Sequence, residues 1–156
     1  MIYTDSDKVK KRCDMDIRNK PTDKMLEQLL STNDIDAYFK ENSGYFVDYS
    51  VAEYLTYLTE HMNLQKSAVI KKAELNEIYG YQIFSGKRIP SRDKLLCLAI
   101  GMGLDLDGVN KLMKIAGYAQ LYAKSARDSV IIHSIANGKS VMDTNSALYN
   151  AGEDTL

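Results

Sequence analysis

Apolar residues recur at helical spacing along most of the chain, and this pattern predicts an all-helical protein. From residue 51 onward, a stripe of apolar side chains three to four residues apart comprises Val51, Tyr54, Leu55, Leu58 and Met62. Only two prolines and nine glycines interrupt the sequence, and runs of alternating β-branched residues, which would predict strands, are few. We therefore expect helices almost throughout.

Five helices are predicted within residues 51–117. The first is long, and two short helices are expected to follow at about 66–73 and 76–85. The connection between these two spans only three residues, so they should meet as a helix-turn-helix. Gly86 follows the second short helix and suits the left-handed conformation that often ends a helix.

The remaining two helices of this region are marked by capping residues and glycines. Ser91 is expected to cap a strongly apolar fourth helix, whose end Gly101 and Gly103 should loosen. We expect Asp107 to cap a fifth helix that stops at Gly117.

Shorter helical segments flank this region on the N-terminal side. Within residues 1–50, a polar leader precedes two predicted helices, one capped by Thr22 and one capped by Asp34. We interpret this segment as an N-terminal helical extension.

On the C-terminal side, residues 118–156 predict a helical hairpin. Ser125 and Ser140 each precede an apolar run, and each is followed three residues later by an aspartate, as in a capping box. Gly138 and Gly152 stand where the two helices should end.

Charge is distributed unevenly, although the formal net charge is only −1. The window 66–94 carries +4, because three acidic residues face seven basic ones, Lys66, Lys71, Lys72, Lys87, Arg88, Arg92 and Lys94. The other residues carry 13 basic and 18 acidic groups, a net charge of −5. A local basic excess of this kind is typical of a phosphate-binding face.

Several classes of protein have no support in the sequence. Cys13 and Cys97 form no CxxC motif or zinc-spaced cluster, His61 and His133 lie on different predicted helices, and no phosphate-binding glycine motif is present. We therefore predict no enzyme activity, no metal and no cofactor. No apolar run reaches the length of a membrane span or a signal peptide, so we expect a cytoplasmic protein.

The stretch SAVIKKAELNEIYGYQIFSGKRIPSRDKLLCLAIGMGLD resembles the Cro/C1 family of helix-turn-helix regulators, also called XRE or lambda-repressor-like, without a gap. The matching positions are Ala73 before the turn, Leu75 in it, Tyr79, Gln82 and Ile83 in the third helix, Gly86, Lys87, Arg88 and Pro90 after it, and Leu95 and Ala99 in the fourth. The resemblance covers about 65 residues when the flanking helices are included.

This resemblance implies DNA contacts from particular residues. Contacts to base edges or the groove are implied for Asn76, Glu77, Ile78 and Gln82, and phosphate contacts for Lys66, Lys71, Lys72, Lys87, Arg88 and Arg92. Gln82 suits adenine, and Glu77 suits a cytosine amino group but otherwise repels DNA. Lys71 and Lys72 are also typical of a solvated helix face, and Gln82 of an exposed helix position.

Two further positions depart from the family pattern. Glu74 replaces the glycine common in the turn, so either it adopts the left-handed region or the turn differs. Gly80 stands where the family usually buries an aliphatic side chain, and we expect Tyr79, Tyr81 or Phe84 to fill that volume.

These observations lead to one favoured function and one alternative. The favoured function is that of a transcriptional regulator that binds double-stranded DNA as a homodimer. Either terminal extension is expected to supply the dimer contact. The alternative is an antitoxin-like or adaptor module that keeps the helix-turn-helix fold but binds a protein partner. No membrane partner is expected.

Overall fold

A computed structural model describes residues 20–156, and every regular element in that range is an α-helix. The elements are α1 (Thr22–Ser31), α2 (Ile35–Asn42), α3 (Val51–His61), α4 (Lys66–Lys72), α5 (Glu77–Phe84), α6 (Arg92–Met102), α7 (Leu106–Ile115), α8 (Ala126–Ala136) and α9 (Val141–Asn150). The all-α prediction is therefore confirmed for the described residues. The polar leader and Cys13 lie outside them.

The chain divides into two compact units, with the boundary between Asp48 and Tyr49. The first unit contains α1 and α2, which pack against each other. The second unit contains the other seven helices, so the predicted C-terminal hairpin belongs to the same unit as the helix-turn-helix.

In the second unit, α6 forms the centre of the core. Leu95, Leu96 and Leu98 are fully buried, and α4, α7 and α9 all pack against this helix. A helix that is apolar on every side is expected to be buried on every side, and α6 follows that rule. The elements that flank α6 are therefore fixed relative to one another by a shared core.

Four connections in this unit have the same three-residue design, in which a left-handed residue is followed by one residue and then by the residue that precedes the next helix. The four are Asn63-Leu64-Gln65, Glu74-Leu75-Asn76, Gly103-Leu104-Asp105 and Gly138-Lys139-Ser140. In each, the amide of the middle residue donates to a carbonyl five residues earlier. This geometry satisfies carbonyls at the end of one helix and starts the next helix at once.

Three predicted helix caps of this unit are confirmed and one is wrong. Ser91, Ser125 and Ser140 cap α6, α8 and α9 by accepting hydrogen bonds from backbone amides. Asp105, not Asp107, caps α7, because the turn after Gly103 places the Asp105 carboxylate 2.8 Å from the Gly108 amide.

In the first unit, the prediction for Asp34 is confirmed, because its side chain accepts from the Ala37 amide at 3.0 Å. The prediction for Thr22 is wrong. Thr22 is already the first helical residue of α1, and Pro21, which has no side-chain acceptor, occupies the capping position.

Two glycines allow helices to approach each other closely. A Cβ on Gly80 would lie 2.6 Å from Cγ2 of Ile70, so the Ile70 side chain of α4 fills the volume that we expected an aromatic residue to fill. Gly101 is a buried helical residue of α6, and a Cβ there would lie 2.9 Å from the backbone of Ala73 and Val69. Gly101 therefore permits close packing of α4 on α6 and does not loosen the end of the helix.

Candidate nucleic-acid interface

The turn between α4 and α5 is built from local signals. Ala73 ends α4, Glu74 adopts the left-handed region with φ 56°, and the Leu75 amide donates to the Ile70 carbonyl at 3.2 Å. The Asn76 side chain then accepts from the Tyr79 amide at 3.2 Å and caps α5. Glu74 therefore tolerates the left-handed conformation, and the turn keeps its length.

One face of α5 packs inward and the opposite face is open. Gly80, Ile83 and Phe84 are buried, whereas 70% of Ile78 is exposed. Residues three and four apart share a face of a helix, so Tyr81 and Gln82 lie on the same side as Ile78. An apolar side chain this exposed on a short surface helix is available for contact with a partner.

A shallow groove of about 540 Å³ runs along this open face. Its walls come from the start of α4, from α5 and from the loop after α5, and are formed by Lys66, Ile78, Tyr81, Gln82, Phe84, Ser85 and Lys87. The groove therefore unites four residues that the family resemblance implied as DNA contacts, two with charged and two with uncharged side chains.

The Lys66 ammonium is held at one wall of this groove by an aromatic ring. Its Nζ lies 5.5 Å from the centroid of the Phe84 ring, which is itself buried. A cation above an aromatic face at this distance is attracted to the ring and still exposes its remaining hydrogen-bond donors. Lys66 is thus a positioned positive charge.

The other charged residues near α5 are exposed. Lys87 and Arg88 lie in the loop after α5, and Glu77 lies in its first turn, where the helix dipole stabilises a carboxylate. Lys71 and Lys72 are exposed at the end of α4 and do not line the groove. Asn76 uses its side-chain oxygen to cap α5, so its amide nitrogen and the second lone pair of that oxygen are left for another partner.

Arg92 has a different environment from the other predicted phosphate contacts. Its guanidinium donates to both carboxylate oxygens of Asp128 at 3.2 and 2.9 Å, and to the carbonyls of Ala119 and Gln120. Because these bonds occupy most of its five donors, we do not include Arg92 in the proposed interface.

A second arginine–aspartate ion pair joins the same two helices, α6 and α8, with the donor and acceptor helices exchanged. Arg127 donates to both carboxylate oxygens of Asp93 at 3.0 Å, and also to the carbonyls of Asp154 and Thr155. The start of α6 and the start of α8 are thus joined by two reciprocal arginine–aspartate pairs. In the sequence, an Arg-Asp dipeptide follows each of two capping serines, and this repeat was a signal for the ion pairs. No feature of the sequence indicates that the two dipeptides contact each other.

Two residues of the open face were missed as groove residues by reasoning from the sequence, Tyr81 and Ser85. Ile89, between Arg88 and Pro90 in the loop after α5, is 85% exposed and was not predicted to be a contact either. The signal for Tyr81 and Ser85 was their spacing of three and seven residues from Ile78, which places them on its face. Ile89 had no periodic signal, because it lies in a loop.

Within residues 20–156, no cluster of three histidine, cysteine, aspartate or glutamate side chains is arranged to hold a metal ion. Cys97 is buried in α6, and burial raises the pKa of its thiol, which disfavours the reactive thiolate. In the same part of the chain, no helix combines the length and the apolar character needed to cross a bilayer.

No protein-family model, no curated protein and no solved structure matches this chain. The resemblance to the Cro/C1 family therefore remains a prediction, and the geometry of the open face has to carry any proposal about function.

Proposed function

We propose that this chain is a sequence-specific DNA-binding transcriptional regulator that inserts α5 into the major groove from a lambda-repressor-like core of α3 to α7. The observation that carries the proposal is the open face of α5, with the exposed Ile78 at its centre and the groove that Lys66 and Lys87 border. A short helix presented between basic residues is the geometry by which helix-turn-helix proteins approach a duplex.

The uncharged residues of this face supply contacts to bases. Gln82 has an amide that can form two hydrogen bonds with adenine, and Ile78 offers a methyl-rich surface to the methyl group of thymine. Glu77 lies one residue before Ile78 and accepts a hydrogen bond from cytosine. Together these side chains favour a DNA site that contains both A·T and G·C pairs over a site made of one kind of pair.

The basic residues supply affinity. Lys66, Lys87 and Arg88 flank α5 on both sides, and each phosphate that they neutralise releases counterions from the duplex. Lys71 and Lys72 add positive charge to the same unit, at the far end of α4.

Selection of bound fragments from a random DNA pool, followed by titration at several salt concentrations, tests this proposal. We expect the Lys87→Ala/Arg88→Ala variant to weaken binding to all sequences alike and to reduce the salt slope by about 1.8, since each phosphate contact contributes about 0.9. We expect Gln82→Ala to cost about 1–3 kcal/mol on the selected site and little on other sequences.

A matched control removes two positive charges elsewhere. Lys124 and Lys139 are exposed and lie in the C-terminal segment, away from the groove residues in sequence. The Lys124→Ala/Lys139→Ala variant should keep the salt slope of the unmodified protein. Equal losses for both double variants would mean that binding depends on net charge alone, and would contradict the assignment of this face.

One observation favours a second candidate function, in which the same face binds a protein. Ile78 is highly exposed on this face, Glu77 adds a negative charge beside it, and Ile89 is highly exposed in the loop after α5. Exposed apolar side chains are typical of protein-binding surfaces. The absence of any binding to duplex DNA at low salt would favour this candidate over the first.

A further inference from the structure

The described part of the N-terminal unit exposes large apolar side chains at a higher density along the sequence than the rest of the described chain. Fifteen large hydrophobic side chains of residues 20–156 are exposed, and eight of them lie in residues 26–47. These eight are Leu26, Leu29, Leu30, Ile35, Phe39, Tyr45, Phe46 and Val47, and we call them the apolar surface of the N-terminal unit. Surfaces of this density are typical of interaction sites.

The described residues of this unit, 20–48, bury few side chains. Among them only Tyr38 and Asn42 are buried, and Lys20 Nζ donates to Gln28 Oε1 at 2.6 Å and to Asn42 Oδ1 at 2.7 Å. The unit spans Met1–Asp48, and chains this short bury only a limited share of their surface when they fold alone. The described residues of the unit contain no cysteine and no metal-binding cluster that could add stability.

The charge of the unit does not favour nucleic acid as the partner of this surface. Residues 1–48 contain eight basic and ten acidic residues, a net charge of −2, and residues 20–48 carry −3, from three lysines and six acidic residues, so phosphates are not attracted.

We propose that a second copy of this chain covers the apolar surface, so that α1 and α2 pair with α1 and α2 of the other copy. Eight large side chains with about two fifths or more of their surface exposed offer on the order of 800 Å², which is what each partner contributes to a standard interface. Two helical hairpins packed in this way form a four-helix arrangement with two-fold symmetry.

The chemistry of the surface suits such a contact. Leu26 and Leu30 lie one turn apart on α1, and the rings of Phe39 and Phe46 meet with centroids 5.7 Å apart beside α2. The inference rests on the proposed function in one respect, since reading paired half-sites requires two copies held together. It identifies the N-terminal extension, not the C-terminal hairpin, as the dimer contact.

Sedimentation of the full-length protein without DNA tests the proposal. We expect twice the mass of one chain at micromolar concentration, and we expect Leu26→Glu/Leu30→Glu to raise the dimer dissociation constant on the order of 30-fold or more. The matched control is Met142→Glu/Tyr149→Glu, which changes two equally exposed residues of α9 and should leave the dimer intact.

A second measurement does not depend on any substitution. Copies labelled with ¹⁴N and ¹⁵N are mixed and treated with a lysine-reactive cross-linker, and we expect mixed-isotope products at Lys24 and Lys40 of the N-terminal unit. Mixed products confined to Lys124 and Lys139 would place the contact in the C-terminal segment and overturn the proposal.

The outcomes separate this inference from the proposed function. A dimer that forms through α1 without any affinity for DNA supports the inference and refutes the function. DNA binding by a monomer refutes the inference. A dimer that Leu26→Glu/Leu30→Glu leaves intact, or that only the α9 variant dissociates, also overturns the inference.

Discussion

The two ends of the described part of the chain, residues 20–156, are both helical hairpins, and they use their apolar residues in opposite ways. In the C-terminal hairpin, α8 and α9 direct Ile131, Val141 and Leu148 into a core that they share with the helix-turn-helix. In the N-terminal hairpin, α1 contributes no buried residue at all. Similar amphipathic patterns therefore lead to a fused element at one end and to an uncovered surface at the other.

Differences in helix termini and in ion pairing accompany this contrast. Both C-terminal helices are capped by a serine and followed by a left-handed glycine, whereas α1 has no side-chain cap and ends in an extended residue, Thr32. The C-terminal hairpin is also tied to α6 by the pairs Arg92–Asp128 and Arg127–Asp93. An apolar stripe shows that a helix has a face to bury, but not which surface covers it.

The largest expected difference in stability is between two variants in which a leucine is truncated to alanine, one in each hairpin. Leu148→Ala should lower the free energy of unfolding of the second unit by about 2–5 kcal/mol, because Leu148 is fully buried. Leu30→Ala should change the stability of that unit by less than about 0.5 kcal/mol, since Leu30 is 78% exposed and belongs to the other unit. Urea unfolding followed by far-UV circular dichroism measures both, and similar losses would break the comparison.

The ion pairs that hold the C-terminal hairpin should differ in strength. Asp128 is buried, accepts from Arg92 and also accepts from the Tyr122 amide at 3.0 Å, so Asp128→Ala should cost about 3 kcal/mol. Asp93 is more exposed, and Asp93→Ala should cost about 1 kcal/mol or less. A double-mutant cycle for each pair by urea unfolding checks the order, and equal coupling energies would contradict it.

The left-handed residue that begins each three-residue connection can be tested by two opposite substitutions, for which we expect smaller changes in stability. Gly138→Ala should destabilise the C-terminal hairpin by about 1 kcal/mol, because a Cβ is disfavoured at φ 62°. Glu74→Gly should stabilise the second unit by up to about 1 kcal/mol, because Glu74 adopts the same region with a side chain. Thermal unfolding measures both shifts, and shifts of the same sign would show that the two turns are not equivalent.

The smallest effect concerns helix caps. Ser140→Ala should cost about 1 kcal/mol, because its hydroxyl accepts from the Asp143 amide at the start of α9. Thr22→Ala should change stability by less than about 0.5 kcal/mol, since Thr22 lies inside α1 and is not its capping residue. Amide hydrogen exchange in the two helices reports both changes, and a larger effect of Thr22→Ala would reverse the contrast between the two ends.

The helix boundaries were predictable from the sequence because capping and helix termination are local. The position of α5 was predicted at 76–85, and the structure has Asn76 as its cap and Ser85 after its last residue. Where two local signals competed, the prediction was wrong, as for Asp105 and Asp107, since either aspartate can cap a helix and the preceding turn decides between them.

The composition of the candidate site was only partly predictable. Lys66, Ile78, Gln82 and Lys87, for which the family resemblance implied DNA contacts, line one groove, but the engagement of Arg92 with Asp128 depends on a residue 36 positions away. The substitution of an aliphatic side chain by Gly80 is likewise explained only by Ile70 in the neighbouring helix. Spacing along one helix indicates which residues share a face, and contains no information about the opposing surface.

The sequence by itself determined the helical class, the lengths of most helices and the tight turn before α5, because each depends on residues within a few positions of one another. Only the tertiary structure decided that the C-terminal hairpin joins the core, that Arg92 pairs with Asp128 and that the apolar side chains of the N-terminal unit remain exposed. The physical reason is that burial and ion pairing depend on which surfaces meet in space, whereas capping and periodicity are properties of a single segment.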